Sequence, residues 1–134
     1  MNVIEVKNIS KKFDDKIVLD NISLNIEEGD IFGLIGPNGA GKSTLINIMT
    51  GLLDANNGSI SIGGFDIKKD PIKAKEFLGL VPQELALMES ISAYDNLEFF
   101  GSLYGLKGKY LKGKIKYAFD ITGLNEKRKD KNDL

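Results

Sequence analysis

The chain has 134 residues, 42% of them apolar, and a formal net charge of −1. That is enough apolar material for one cored domain, with no basic excess to attract a nucleic-acid backbone. It contains no cysteine and no histidine, which excludes disulfides, thiolate catalysis, Ser-His-Asp chemistry and cysteine- or histidine-ligated metals.

Residues 3–9 alternate, with Ile4 and Val6 on one side and Glu5 and Lys7 on the other, the pattern of a half-buried strand. The segment Lys11–Lys16 is polar apart from Phe13. An isolated aromatic there is either a platform for a nucleotide base or, more ordinarily, a packing residue. After the apolar run Ile17–Leu19, Ile22, Leu24 and Ile26 alternate with Asn21, Ser23 and Asn25. A repeated period of two predicts an antiparallel sheet with one wet face. Glu27-Glu28-Gly29-Asp30 is a turn leading into Ile31-Phe32-Gly33-Leu34-Ile35, a continuous apolar run expected to be a strand buried on both faces.

The next stretch organises the rest. Gly36-Pro37-Asn38-Gly39-Ala40-Gly41-Lys42-Ser43-Thr44 fits the phosphate-binding pattern G-x-x-x-x-G-K-[ST]. Glycines let such a loop curl so that its amide N–H groups line a concave nest for phosphate oxygens. A helix beginning at the loop adds the positive end of its dipole, worth roughly 0.3–2 kcal/mol to an anion. Lys42 is placed to reach the outer phosphates and the Ser43 hydroxyl to take one position on a phosphate-bound Mg2+. Leu45, Ile46, Ile48 and Met49 follow at helical spacing, and Gly51 stands where a helix stop is expected.

Ile60 and Ile62 alternate with Ser59 and Ser61, Gly63-Gly64 turns the chain, and Phe65 and Ile67 return it as a hairpin. Pro71 opens a short helix carrying Ile72 and Phe77. Leu78, Leu80 and Val81 predict a second core strand, ended by Pro82. Gln83 follows; its side-chain carbonyl could meet a metal or a water, though a surface glutamine after proline is usually unremarkable. Ser92 and Asp95 form a capping box opening a helix whose apolar face is Tyr94, Leu97, Phe100, Leu103 and Tyr104. Gly105 and Gly108 break it. Residues 109–122 form another helix, with Leu111, Ile115, Ala118 and Phe119 inward and Lys109, Lys112, Lys114 and Lys116 as a solvated face. Residues 125–133 are polar and expected to be mobile.

At this point the residues resemble a family. GLIGPNGAGKSTLI at 33–46, Gly58-Ser59-Ile60 before Gly63, LVPQE at 80–84 and DNLEFFGSLYGL at 95–106 are similar to the N-terminal part of an ATP-binding-cassette (ABC) transporter ATPase, in the style of drug or ABC-2-type exporters. The resemblance covers residues 2 to about 130. It implies an α/β fold, a partial P-loop NTPase core with an N-terminal antiparallel β subdomain and the start of a helical subdomain. Residues 1–30 and 56–68 would form the β subdomain, 31–55 and 69–84 the P-loop core, and 85–134 the helical start. It further implies ATP and Mg2+ as ligands. Gly36, Asn38, Gly39, Ala40, Gly41, Lys42, Ser43 and Thr44 would hold the phosphates. Phe13 would stack on adenine, and Gln83 would join Ser43 at the metal and face the transmembrane partner. A second ATPase domain would complete the family's dimer. The location implied is cytoplasmic, peripheral on the inner face of the membrane, with no nucleic-acid partner.

In the family the glycine-rich signature, the acidic magnesium strand with its catalytic glutamate and the switch histidine follow later; this chain holds none of them. No catalytic residue is therefore expected within it, and the chain as given is expected to bind ATP without turning it over. An alternative is a complete short nucleotide-binding regulatory module that does not hydrolyse.

Overall fold

β1 (Asn2–Phe13) and β2 (Lys16–Glu27) form a long antiparallel hairpin, closed where Phe13 pairs with Lys16. The computed structural model describes residues 2–84 and 87–128. The period-two pattern of β2 holds, with Ile22, Leu24 and Ile26 half-buried and the residues between them exposed. In β1 the pattern slips: Val6 and Ile9 are both buried although three positions apart. A bulge accounts for this. Asn8 adopts a φ of 53°, its N–H donates to Ser23 Oγ at 2.9 Å and its amide donates to Asn21 Oδ1 at 2.7 Å. The extra residue returns the strand's apolar side to the core.

β3 (Asn57–Ile62) pairs antiparallel with β1, and β4 (Phe65–Asp66) with β3, giving the order β2-β1-β3-β4. Gly58, the first residue of the Gly-Ser-Ile motif, has φ +91° at a point where a Cβ would lie 2.4 Å from Lys7 O. Only glycine lets the two backbones approach there. α1 (Lys42–Met49) and α2 (Pro71–Lys75) accompany the sheet. Leu45 and Ile48 of α1 and Ala74 of α2 join Val6, Ile9, Leu19, Ile60, Ile62 and Ile67 in one core.

Two expectations fail here. Residues 31–35 form no strand, and Ile31 and Ile35 are almost fully exposed (103% and 95%). Residues 78–81 likewise form none, with Val81 90% exposed. A strand buried on both faces needs hydrogen-bonded neighbours in a parallel sheet. Among the described residues the four-stranded antiparallel sheet offers no place for either run. α2 also ends at Lys75, before Phe77, whose ring instead stacks on Phe65 at 6.0 Å.

The chain divides into two compact units, one running to Val81 and the other starting at Pro82. In the second, α3 (Ala93–Leu103) starts at the expected capping box: Ser92 Oγ accepts from Asp95 N at 3.2 Å, and Asp95 Oδ2 accepts from Ser92 N at 3.3 Å. The apolar face read for α3 is only partly covered: Tyr94 packs on the Leu111, Ile115 and Phe119 cluster and Phe100 is half-buried, whereas Leu97, Leu103 and Tyr104 are exposed. The buried residue is Asn96, whose amide accepts from Met88 N at 2.8 Å and donates to Met88 O and Ser92 O. α4 (Gly108–Thr122) buries Leu111, Ile115 and Phe119 as its spacing predicts, and its four lysines are exposed. Part of the polar stretch 125–133 is docked rather than loose. Asn125–Lys127 forms a 3-10 turn, Arg128 O accepts from Tyr94 N, and the Arg128 guanidinium lies 5.2 Å from the Phe119 ring centroid. Residues 129–133 lie outside the described residues.

Candidate phosphate-binding site

The phosphate-loop pattern folds as a turn at residues 38–41 that runs straight into α1. Ala40 N donates to Pro37 O at 3.2 Å, closing the turn, and Leu45 N donates to Gly41 O at 2.9 Å as the first helical bond. Two glycines make this path possible. Gly39 and Gly41 have φ of +82° and +87°, in the left-handed region that side-chain-bearing residues rarely enter. Gly41 is also crowded. A Cβ there would lie 2.8 Å from Leu19 Cδ2 and 2.9 Å from Val18 O. The loop is thus seated directly on β2. Neither Val18 nor Leu19 stands out in the sequence as a site residue, because a wall of the loop looks like any other apolar strand position.

The start of α1 has donors and no internal acceptor for them. Gly41 is the N-cap, no side chain caps it, and the first turn holds no acidic residue. Unpaired N–H groups and the dipole's positive end together favour an anion. Lys42 Nζ donates to Gly36 O at 2.6 Å and to Pro37 O at 2.7 Å. The side chain therefore folds back over the loop, and the ammonium has one further N–H to offer a ligand. Gly36, Asn38, Gly39, Ala40 and Ser43 are exposed and Thr44 is half-buried.

These residues fit a phosphate chain. For Mg2+, Ser43 supplies an exposed hydroxyl in the first turn of α1 with no hydrogen-bond partner among the described residues. Among the described residues no group of three or more acidic side chains could cage an ion. That donor set suits Mg2+, which is commonly held by one or two protein oxygens together with phosphate oxygens and water.

Phe13 belongs to the same unit. It ends β1, 44% exposed, on the hairpin whose second strand abuts Gly41. Lys11 Nζ lies 5.0 Å from its ring centroid. Gln83 is an exposed residue in the bend that opens the second unit. Among the described residues, no helix is long and apolar enough to cross a membrane.

The chain is similar to known proteins in sequence and in fold. Residues 19–133 match the family model described as ABC transporter. The chain is 41% identical over 129 residues to the linearmycin resistance ATP-binding protein LnrL of Bacillus subtilis (strain 168), covering 96% of this chain and 42% of that protein. It is 40% identical over 122 residues to the probable multidrug ABC transporter ATP-binding protein YbhF of Escherichia coli (strain K12), covering 91% of this chain and 21% of that one. Among solved structures, cbiO1 from Clostridium perfringens, part of the ABC transporter complex cbiONQ, superposes with a TM-score of 0.84 at 25% identity. That match covers 96% of this chain and 53% of cbiO1. The chain thus spans about half or less of each of these relatives. With its glycine loop opening α1, and with the family model matched from residue 19 to residue 133, the chain belongs to the ABC transporter family.

Proposed function

We propose that this chain is the nucleotide-gripping part of an ABC transporter ATPase that couples ATP binding and hydrolysis to transport across a membrane. The observation that carries the reading is the uncapped start of α1 behind a glycine loop, with the Lys42 ammonium held at its mouth by two loop carbonyls. The loop residues Gly36, Asn38, Gly39, Ala40, Gly41, Lys42, Ser43 and Thr44 hold the phosphates, and Ser43 gives Mg2+ one oxygen. Phe13 receives the adenine ring, and Gln83 carries the metal's second protein ligand and faces the transmembrane subunit. The names of LnrL and YbhF, a resistance protein and a probable multidrug transporter component, favour export.

Phosphate grip dominates the affinity. One lysine–phosphate pair at 4 Å is worth about 4 kcal/mol at an effective dielectric near 20, whereas a stacked base adds about 1–3 kcal/mol. Hydrolysis needs a base for the attacking water and full neutralisation of developing charge. The residues here supply only grip and part of the metal shell, so the chain as given binds ATP without turning it over. Turnover requires the partner ATPase domain and the family's later segments, and the assembly sits peripherally on the inner membrane face through its transmembrane subunit.

Calorimetric titration of Mg-ATP into the chain and into its Lys42→Ala variant tests this. Binding by the wild type, lost by more than about a hundredfold in the variant, supports the reading. Equal binding by both would sink it.

A further inference from the structure

We propose that Lys11 and Asn56 form a clamp that fixes the Phe13 ring relative to the phosphate loop and leaves only one ring face open to a nucleobase. The inference rests on the reading of Phe13 as the base platform, and adds to it the residues that position the platform.

The clamp joins β1 to the loop between α1 and β3. Lys11 Nζ donates to Asp54 O at 2.7 Å while standing 5.0 Å from the Phe13 ring centroid. The pairing of β1 with β2 is irregular between Lys11 and Lys12, and the contact itself places one ammonium against both the Phe13 ring and Asp54 O. Asn56 binds the strand twice more: its Oδ1 accepts from Lys12 N at 2.7 Å, and its backbone N donates to Ser10 O at 2.9 Å. Three bonds therefore tie the last four residues of β1 to the segment that follows α1.

The other end of α1 is pinned to the same place. Leu19 is the cross-strand partner of Lys11, and its Cδ2 is one of the atoms crowding Gly41 at the helix start. An eight-residue helix that begins in the phosphate loop is thus flanked at both ends by contacts to the β1–β2 hairpin, whose first strand ends at Phe13. The spacing between the triphosphate grip and the base platform is set by this frame, not by the exposed hairpin turn at Asp14-Asp15. The ammonium also has a second effect. Held by Asp54 O, it cannot leave the ring without losing that bond, so a base stacks on the opposite face and is not sandwiched.

The test compares two ligands on the full 134-residue chain in Mg2+ buffer: ATP, and inorganic tripolyphosphate, which lacks the base. Phe13→Ala is expected to weaken ATP about fivefold to a hundredfold and leave tripolyphosphate unchanged. Lys11→Met and Asn56→Ala are each expected to weaken ATP about two- to fivefold with tripolyphosphate constant, which also shows that both variants fold. Lys11→Arg keeps a cation on the ring and a donor for Asp54 O, and Asn56→Asp keeps an acceptor for Lys12 N. Both should restore ATP affinity. If Phe13→Ala shifts the ATP-to-tripolyphosphate ratio and neither Lys11→Met nor Asn56→Ala does, the clamp is wrong and the platform stands. A parallel loss of both ligands in the clamp variants also overturns it, since the bonds would then only hold the fold together. If Phe13→Ala leaves the ratio unchanged, the platform reading fails and the clamp falls with it.

Discussion

Gly41 illustrates how one residue type answers two demands at once. Its backbone needs φ +87°, and the space beside it is filled by Val18 O and Leu19 Cδ2. Gly41→Ala meets both obstacles, and because Val18 O is backbone it cannot swing away. We expect the variant to lose about 2–4 kcal/mol of stability and at least tenfold in tripolyphosphate affinity; a melting curve beside a titration checks both. At Lys42 the chemistry is less selective. A point charge on phosphates does not see the base, so GTP should bind within about tenfold of ATP. A competition assay showing selectivity above about a hundredfold would contradict that. The pattern of glycines and lysine was readable as a phosphate loop from spacing alone, because the loop's geometry depends on local backbone freedom. Its walls were not readable, because Val18 and Leu19 come from a strand more than twenty residues upstream.

Among the elements, the best-read are those whose ends are set by short-range chemistry. The capping box at Ser92 and Asp95 and the stripe Leu111, Ile115, Phe119 appear as expected. The face of α3 is only partly legible in the sequence, for a physical reason. Asn96 is buried because its amide satisfies Met88 N and O in the preceding loop, a pairing that hydrophobic periodicity does not register. Asn96→Ala leaves those groups unpaired and should cost about 1–3 kcal/mol in denaturant unfolding. In the other unit, Asp66 ends β4 and closes a turn. The backbone N–H of Lys68 at 2.8 Å, with that of Lys69 at 3.1 Å, holds its carboxyl below the usual value. A depressed carboxylate stabilises the fold at pH above its unfolded value, and that contribution is lost as pH falls through the folded one. The loss therefore belongs to the acid side, at and below the ordinary carboxylate range. Exposure keeps it small. Asp66→Asn should flatten the decline in melting temperature between neutral and acid pH, and identical profiles would rule out this source.

For the whole molecule, the informative fact is where apolar surface lies. Ile31, Ile35 and Val81 are nearly fully exposed, whereas Val6, Ile9, Ile60 and Ile62 are buried within one sheet. Exposed apolar runs of strand-forming residues invite pairing with another chain. The 134-residue chain should accordingly associate as its concentration rises. Replacing Ile31 and Ile35 by lysine should reduce that association in sedimentation velocity while leaving the sheet's circular dichroism unchanged. An unchanged association state would show that the run is not the contact.

The sequence by itself determined the phosphate loop, the antiparallel hairpins and the capped helix, because their signals lie within a few positions of one another, and the family, because its motifs are short local stretches. Only the tertiary structure decided the bulge that returns Ile9 to the core, the seat of Gly41 on β2, and the ties from Lys11 and Asn56 between strand and loop. It also decided that the apolar runs at 31–35 and 78–81 are exposed segments and not strands. Apolar residues specify that a segment seeks burial, but a strand exists only when a neighbour supplies its hydrogen bonds.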